Sequence, residues 1–459
     1  MRASTTFALS LAVLLAPALL DAQDLGARLD SAMRAAEAKG FSGVVRVERD
    51  GVTLLKKGYG LANRAARVPF SPATVVQIGS NTKDFTVVAI YQLQLAGKLS
   101  VHDTLGRHFR GVPADKRGIT IEQLLDHRAG FPQGIGGDFE PLSRTRMIDS
   151  AMHHPLLFAP GARASYSNTG YSLLAAIIEQ VTGKSYDVYV RDAILAPLGL
   201  ERTGFLLPRF ARTELAHGYA AGGHDQGTML AKPHAADGPY WNLRGNGGML
   251  STVDDMQAFY NALFETEQLL PAAVRDIRFN PHEPIGLAGG DGVNTFLYER
   301  DPIAHTGIIV ATTNAAMKSP VIRRELGRLL GLPPADQGDE PRAERAGGRP
   351  APPPLAEVLT RFIDVINAGD TAAVRRFVAE HFASDAGAPP LGVRVERIGG
   401  MHDRLGTLTV EGIRVFDDGP AEVTLRSATQ GRTVFRVTVD GGAPYRIHGL
   451  QVQVGGPNQ

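Results

Sequence analysis

The alternation of apolar and polar positions predicts a mixed region of helices and strands at the start of the chain. Apolar residues spaced four apart over residues 24–39 share one face of a helix. Two strand patterns, at 44–47 and 52–58, flank Asp50-Gly51, a turn dipeptide that favours a β-hairpin. The first elements are therefore predicted to be a helix and then a hairpin.

The pattern becomes mostly helical from about residue 80 to 265, where Gly and Pro loops interrupt it. Strand patterns return at 293–298 and 308–312, and a helix is predicted from about 320 to 330. These elements predict an α+β fold in which both ends of the region contribute strands to one sheet and the middle forms a helical insertion.

A change of composition separates a second, smaller region. Residues 333–354 are rich in Pro, Gly, Ala and charge and predict a linker between domains of residues 23–332 and 355–459. Helices are predicted at 355–368 and 371–383. Four alternating segments then predict strands, and together with the helices they indicate a small α+β domain: 408–416, 421–426, 433–439 and 445–452.

The N-terminus has the pattern of a signal peptide over residues 1–22. Arg2 precedes an apolar run from 7 to 20, and the small residue Ala22 suits cleavage. A membrane anchor is the alternative, but the run is shorter than the roughly 20 apolar residues that a spanning helix needs. We therefore expect a bacterial protein exported to the periplasm or secreted, with no membrane span after cleavage.

Composition and charge exclude several functional classes. A chain of 459 residues with 43% hydrophobic residues is long enough for two domains with full cores. The formal net charge is +1, and Lys and Arg are scattered, which does not favour nucleic acid or an anionic membrane as a partner. The absence of cysteine excludes disulfides, thiolate metal sites, a cysteine nucleophile and lipid attachment at the cleavage site.

A serine and a lysine lie three residues apart in the segment IGSNTKDFT, residues 78–86, at the predicted start of a helix. Positions i and i+3 share one helical face, so Ser80 and Lys83 can contact each other. A serine hydroxyl is a weak nucleophile until a base accepts its proton, and a neutral lysine with a lowered pKa can be that base. Alone, this spacing is weak evidence because it often occurs by chance.

A second segment, ASYSNTGYSLL, places Tyr166 just before another helical run, residues 173–181. A tyrosine hydroxyl near a lysine can accept the serine proton and later protonate a leaving group. The alternative is a core tyrosine followed by Asn168 or Thr169 as the helix cap. This alternative would be preferred if the segment stood alone.

Five segments together resemble one known family, because they occur in its order: IGSNTKDFT, LLDHRAGFP (124–132), YSNTGYSLL, LAPLGLERTGF (195–205) and GNGGMLSTVDDM (245–256). The family is the serine β-lactamase and penicillin-binding-protein superfamily. The resemblance is greatest to its class C-related branch of esterases, D-aminopeptidases and D-Ala-D-Ala carboxypeptidases. It covers roughly residues 24–332.

The resemblance implies a role for each matched residue. Ser80 would be the acyl-forming nucleophile, Lys83 its proton-transfer partner and Tyr166 the general base and acid. Asn168 would hold Lys83 or the acyl side chain of the substrate. The implied fold is a mainly antiparallel sheet with terminal helices on one face and a helical subdomain, with the active site between them and no metal or organic cofactor.

The third family motif, a K-T-G or H-x-G triplet on an edge strand, has two candidate positions. His305-Thr306-Gly307 matches literally, but too few strands would follow it. We therefore assign the triplet to 287–289, which places Ala288 and Gly289 beside the substrate and makes the amides of Gly290 and Ser80 the oxyanion hole. This position lacks the cation that would bind a substrate carboxylate, which disfavours penicillin or D-Ala-D-Ala recognition.

The C-terminal region resembles the NTF2-like fold through FIDVINAGDTAAVRRFV and the strands after it. Such domains can bind a small ligand, mediate dimers or do neither. For the whole chain we expect an exported serine hydrolase that cleaves small-molecule or short-peptide esters or amides. The alternative hypothesis is a weakly catalytic or non-catalytic protein that binds cell-wall components or β-lactams as a sensor.

Overall fold

The computed structural model describes residues 6–315, 317–332, 349–382, 390–415, 421–429, 431–439 and 445–454. Internal contacts divide the chain into two compact units, the first formed mainly by residues up to 332 and the second mainly by residues from 349. Residues 1–5 of the predicted signal peptide and 333–348 of the predicted linker lie outside the described residues. The domain limits therefore stay predictions.

The first unit follows the predicted order of a helix, a hairpin, a mostly helical middle and closing strands. A 3₁₀ turn, Gly79–Asn81, lies between the fifth strand and the second helix. The helices and strands are α1 (Thr6–Ala38), β1 (Gly43–Arg49), β2 (Val52–Tyr59), β3 (Leu61–Asn63), β4 (Val68–Pro69), β5 (Val76–Gln77), α2 (Thr82–Leu95), α3 (Leu105–His108), α4 (Ile121–Leu125), α5 (Arg144–His153), α6 (Asn168–Thr182), α7 (Tyr186–Val190), β6 (Leu250–Ser251), α8 (Val253–Phe264), α9 (Ala272–Phe279), β7 (Ile285–Gly290), β8 (Thr295–Asp301), β9 (Thr306–Thr312) and α10 (Ser319–Leu330).

Local sequence accounts for the hairpin of β1 and β2. Asp50 and Gly51 have φ values of 52° and 73°, which is the pair of positive angles of a type I′ turn. Asp tolerates this region better than most residues, and Gly enters it freely. The turn dipeptide thus sets the antiparallel pairing of the first two strands.

The main sheet is antiparallel with the order β2-β1-β9-β8-β7, so both ends of the unit contribute strands. Successive side chains of a strand point to opposite faces. Val45 and Val310 pack with Leu29 of α1 and Leu326 of α10 on one face. Val44 belongs to the larger core shared with the helical insertion. The predicted fold class is confirmed: a sheet with terminal helices on one face and a helical subdomain on the other.

The second unit contains one helix that the sequence pattern missed. Helix α13 (Leu391–Leu405) includes Gly392, Gly399 and Gly400, which weaken a helical pattern because glycine is a poor helix former. Burial of Val395 and Ile398 in the core offsets that cost. The elements are β10 (Arg349–Pro350), α11 (Pro353–Ala368), α12 (Thr371–His381), α13 (Leu391–Leu405), β11 (Leu408–Val415), β12 (Ala421–Ser427), β13 (Gly431–Val439) and β14 (Ile447–Val454). The sheet is antiparallel with the order β10-β11-β12-β13-β14.

Two predictions about the ends of the chain remain open. Helix α1 runs without a break through the predicted cleavage position at Ala22. Within the described residues, none of the helices combines the length and apolar character needed to cross a bilayer. Export, and the NTF2-like assignment of the second unit, stay predictions.

Truncation of Leu326 tests the packing of the terminal helices on the sheet. Leu326 is 0% exposed, whereas Leu95 at the end of α2 is 51% exposed. We expect Leu326→Ala to lower the free energy of unfolding by about 2–5 kcal/mol, through lost burial and a cavity. Leu95→Ala should change it by less than about 0.5 kcal/mol. Denaturant unfolding measures both, and equal effects would contradict the assigned helix layer.

Candidate active site

A close backbone contact places Ser80. The 3₁₀ turn that carries it follows β5 and precedes α2, so Ser80 lies just before the α-helix. Gly79 has a φ of 54°, and a Cβ atom there would lie 2.3 Å from the backbone nitrogen of Gly290. A side chain at residue 79 would be strained and would also push β7 away. The glycine before the serine therefore lets the turn pack directly against the end of β7.

Three polar atoms surround the amine of Lys83, which is 6% exposed. Nζ donates to the Asn168 Oδ1 atom at 2.8 Å and to the Asn246 carbonyl oxygen at 2.7 Å. It lies 3.2 Å from Ser80 Oγ. A neutral amine has two N–H groups and one lone pair. If the two amide oxygens accept both N–H groups, the lone pair faces the Ser80 hydroxyl.

The Tyr166 hydroxyl lies 2.6 Å from Ser80 Oγ, within hydrogen-bond distance. Tyr166 immediately precedes Ser167, the N-cap of α6, whose Oγ accepts from the Gly170 amide at 3.0 Å. The interpretation of Asn168 or Thr169 as the cap is wrong, because Ser167 performs that role. The structure thus brings together the four residues that the sequence singled out: Ser80, Lys83, Tyr166 and Asn168.

His127 supports the tyrosine ring, a contact that the sequence analysis did not identify. The ring centroids of His127 and Tyr166 are 4.7 Å apart. His127 Nδ1 accepts from the Ser167 amide at 3.1 Å. Burial lowers the pKa of His127 to about 3, so the ring is neutral at physiological pH. The segment LLDHRAGFP thus contributes a neutral imidazole that packs beside Tyr166.

Asn246 is a further residue that motif reasoning missed, since its contribution to Lys83 is a backbone carbonyl. Its side-chain Nδ2 donates to Ser172 Oγ and to the Asn242 carbonyl oxygen, both at 2.9 Å. These bonds hold the glycine-rich loop in the orientation that aims the Asn246 carbonyl at Lys83. The segment GNGGM indicates a glycine-rich loop from sequence alone. No pattern of side chains, however, specifies the direction in which the Asn246 carbonyl points.

Burial moves the pKa values of the site residues in opposite directions. It lowers the pKa of Lys83 to about 7, against the opposing charge of Asp84. It raises the pKa of Asp84 to about 7 and that of Tyr166 to about 12. Near neutral pH the amine is therefore available as a base, whereas the phenol keeps its proton.

The strand β7, at the edge of the main sheet, carries the predicted third motif. A Cβ atom on Gly289 would lie 2.4 Å from the Ser80 nitrogen, so the two backbones are in direct contact. Ala288 and Gly290 are exposed, and Leu287 packs against the core. The alternative triplet at 305–307 lies at the start of β9, between β1 and β8 in the sheet, and so cannot line an edge.

No group of three or more His, Asp or Glu side chains in the described part of the chain is arranged to hold a metal ion. The polar atoms around Ser80 are one amine, one phenol and amide groups. This set suits proton transfer to and from a hydroxyl.

Comparison with known proteins identifies the family. The family model described as Beta-lactamase matches residues 29–317. The chain belongs to the β-lactamase family of serine hydrolases. The match includes Ser80, Lys83, Tyr166 and the strand β7.

Individual relatives match part of the chain. Protein flp of Staphylococcus aureus (strain NCTC 8325 / PS 47) is 33% identical over 218 residues, covering 46% of this chain and 43% of that protein. Penicillin-binding protein 4* of Bacillus subtilis (strain 168) is 28% identical over 256 residues, covering 52% of this chain and 56% of that protein. The chain thus spans about half the length of the curated relatives it matches.

A solved structure resembles more of the chain. The octameric penicillin-binding protein homologue from Pyrococcus abyssi has a TM-score of 0.58 and 21% sequence identity, and the match covers 94% of this chain and 91% of that one. At this identity the likeness concerns the fold. It agrees with the β-lactamase-family architecture of the first unit.

Substitution of Gly289 tests the contact between β7 and Ser80. A Cβ atom at this residue would meet backbone atoms, which cannot move aside as a flexible side chain can. We expect Gly289→Ala to displace the backbone amides beside Ser80, which the family resemblance implies as the oxyanion hole, and to lower kcat by about 10²-fold or more. Gly286→Ala on the same strand is the matched control, since a Cβ there would have no neighbour within 4 Å. Equal kcat values for the two variants would contradict the contact.

The state of Lys83 predicts the pH dependence of ester hydrolysis. Its pKa is lowered to about 7, so the amine is protonated below this pH and neutral above it. If the neutral amine accepts the Ser80 proton, kcat/KM should fall as the pH drops through about 7 and level off above it. Initial rates with p-nitrophenyl acetate from pH 5 to about 9, corrected with Ser80→Ala, measure this. A rate that rises toward acid pH would exclude a neutral Lys83 as the base.

Proposed function

We propose that the protein hydrolyses esters or amides of small molecules or short peptides through an acyl-enzyme on Ser80. One observation carries the proposal: Ser80 Oγ lies 2.6 Å from the Tyr166 hydroxyl and 3.2 Å from Lys83 Nζ, beside the backbone of β7. A nucleophile in contact with two proton-transfer groups and backbone amides is the arrangement that acyl transfer requires.

Each group has a defined part in the proposed reaction. Ser80 Oγ attacks the substrate carbonyl carbon as its proton passes to Lys83 Nζ, and the oxyanion accepts hydrogen bonds from the Ser80 and Gly290 amides. The bond to the leaving group then breaks, and Tyr166 donates its proton to the departing oxygen or nitrogen while Lys83 reprotonates Tyr166. Water attacks the acyl-enzyme by the same steps in reverse and releases the acid.

The chemistry of β7 favours substrates without a carboxylate at that edge of the site. With the triplet assigned to 287–289, Leu287 takes the place of the family cation, and its side chain packs against the core. A substrate carboxylate there would lose its hydration without gaining an ion pair. Esters and D-amino-acid amides with a neutral group facing β7 are therefore preferred over penicillin-like acids.

Ser80→Ala tests the acyl-enzyme. We expect intact-mass measurement after mixing with p-nitrophenyl acetate to show an added acetyl group on the wild-type protein and none on Ser80→Ala. Turnover should disappear together with the adduct. An unchanged rate of p-nitrophenol release in Ser80→Ala would refute the assignment of the nucleophile.

Tyr166→Phe tests the proton donor. Removal of the hydroxyl should lower kcat by about 10²- to 10⁴-fold, the usual contribution of general acid–base catalysis. Tyr189→Phe is the matched control, since Tyr189 lies in α7 and is not among the contacts of Ser80 or Lys83. Tyr166→Phe with wild-type kcat would remove the phenol from the mechanism.

The altered triplet also motivates a second candidate, a cell-wall or β-lactam sensor, because a substrate that is held less firmly at β7 would acylate Ser80 slowly. A fluorescent penicillin distinguishes the two. Labelling of Ser80 without ester turnover supports the sensor, whereas rapid turnover supports the hydrolase. Either function suits an exported protein. N-terminal sequencing of the protein from the periplasm or medium should show that the mature chain begins after residue 22.

A further inference from the structure

Asp84, Tyr260 and Asn81 form a series of hydrogen bonds next to the turn that carries Ser80. Asp84 is the residue after Lys83, and its Oδ2 atom accepts from the Tyr260 hydroxyl at 2.8 Å. The same hydroxyl oxygen accepts from Asn81 Nδ2 at 2.7 Å. Asn81 is 2% exposed and Tyr260 is 0% exposed, so water has little access to these bonds.

The direction of each bond follows from the chemistry of its partners. A tyrosine hydroxyl has one proton, and Tyr260 donates it to Asp84. The oxygen can then only accept from Asn81, which orients the NH₂ group of that amide toward Tyr260. The Asn81 Oδ1 atom must consequently point the other way. Asp84 thus determines the orientation of the Asn81 amide through Tyr260.

The other end of the Asn81 amide meets the active site. A Cβ atom on Gly289 would lie 2.7 Å from Asn81 Oδ1 and 2.4 Å from the Ser80 nitrogen. Asn81 therefore lies at the junction of the nucleophile turn and β7. Its Oδ1 atom is buried and has no hydrogen-bond partner among the described residues. The Asn81 side chain is therefore held by the hydrogen bond from its Nδ2 atom to the Tyr260 hydroxyl.

Aromatic packing makes Tyr260 a rigid link. Its ring stacks on that of Tyr298 in β8, with centroids 3.9 Å apart, and on that of Phe264, with centroids 5.7 Å apart. This packing limits the movement of the ring, and with it the hydroxyl, relative to α8 and the sheet. A fixed acceptor at this position can hold the Asn81 side chain, and with it the turn that carries Ser80.

We propose that Asp84 is a positioning residue for the reaction, which acts through Tyr260 and Asn81 to hold the Ser80 turn against the oxyanion strand β7. The role rests on the proposed function, because it concerns the same attack by Ser80. It gives Asp84 a function that neither the S-x-x-K spacing nor the family match assigns. Disruption of this series of hydrogen bonds should weaken catalysis more than substrate binding.

Two variants each remove a different hydrogen bond of the series from Asp84 through Tyr260 to Asn81. Tyr260→Phe removes the acceptor for Asn81, and Asp84→Ala removes the acceptor for Tyr260. With p-nitrophenyl acetate we expect each to lower kcat by about 10-fold or more, since a misplacement of about 1 Å at a reacting group can cost about 10²-fold. The KM of each variant should stay within about twofold of the wild-type value, because the variants remove no contact with the bound substrate. The double variant should lose no more than the more impaired single variant.

Two controls separate positioning from general loss of structure. Tyr298→Phe removes a hydroxyl from the same aromatic stack, at a residue that is 1% exposed, without touching the series of hydrogen bonds. It should keep the wild-type kcat. Asp84→Asn keeps an acceptor oxygen for Tyr260 and removes only the charge, so it should retain most of the activity that Asp84→Ala loses. Circular-dichroism melting checks that all variants are folded.

The outcomes distinguish this role from the proposed function. Wild-type protein without acylation or turnover would overturn both. Active wild-type protein with unchanged kcat in Tyr260→Phe would overturn the positioning role alone. Additive losses in the double variant, or an equal loss in Asp84→Asn and Asp84→Ala, would overturn it too, because the charge rather than the series of hydrogen bonds would then be decisive.

Discussion

The proposed chemistry depends on where the structure holds the amine of Lys83. Two oxygen atoms from distant parts of the chain, Asn168 Oδ1 and the Asn246 carbonyl, orient it toward Ser80. Burial lowers the pKa of Lys83 to about 7, because a charged amine is poorly solvated there. Because these oxygens can take both N–H groups of the neutral amine, the same contacts that remove it from water also leave its lone pair for the serine proton.

Close backbone packing is the second requirement, and glycine makes it possible. A Cβ atom on Gly79 would meet the backbone of β7, and a Cβ atom on Gly289 would meet the backbone of the turn that carries Ser80. The edge strand β7 and the turn that carries Ser80 can therefore approach closely enough for their amides to form the proposed oxyanion hole. The side chain at residue 287 can vary without changing these amides, so in the proposed function the absence of a cation there affects substrate choice more than acyl transfer.

Local signals were sufficient for much of the fold. The type I′ turn at Asp50-Gly51 and the period-two strands depend on neighbouring residues, so the predicted strand bounds agree with the structure to within three residues. Helix α13 was missed because its glycines hide a helical pattern that is stabilised by tertiary burial. The alternative interpretation placed the helix cap at Asn168 or Thr169 rather than at Ser167, because several adjacent polar side chains could have performed that role.

The sequence by itself determined which residues have the chemistry for acyl transfer, since a hydroxyl, an amine and a phenol in family order identify Ser80, Lys83 and Tyr166. Only the tertiary structure decided how they are supported. The carbonyl of Asn246, the ring of His127 and the bonds from Asp84 through Tyr260 to Asn81 join segments far apart in the chain. Such contacts depend on backbone direction and on the packing of separate elements, which no local spacing of side chains specifies.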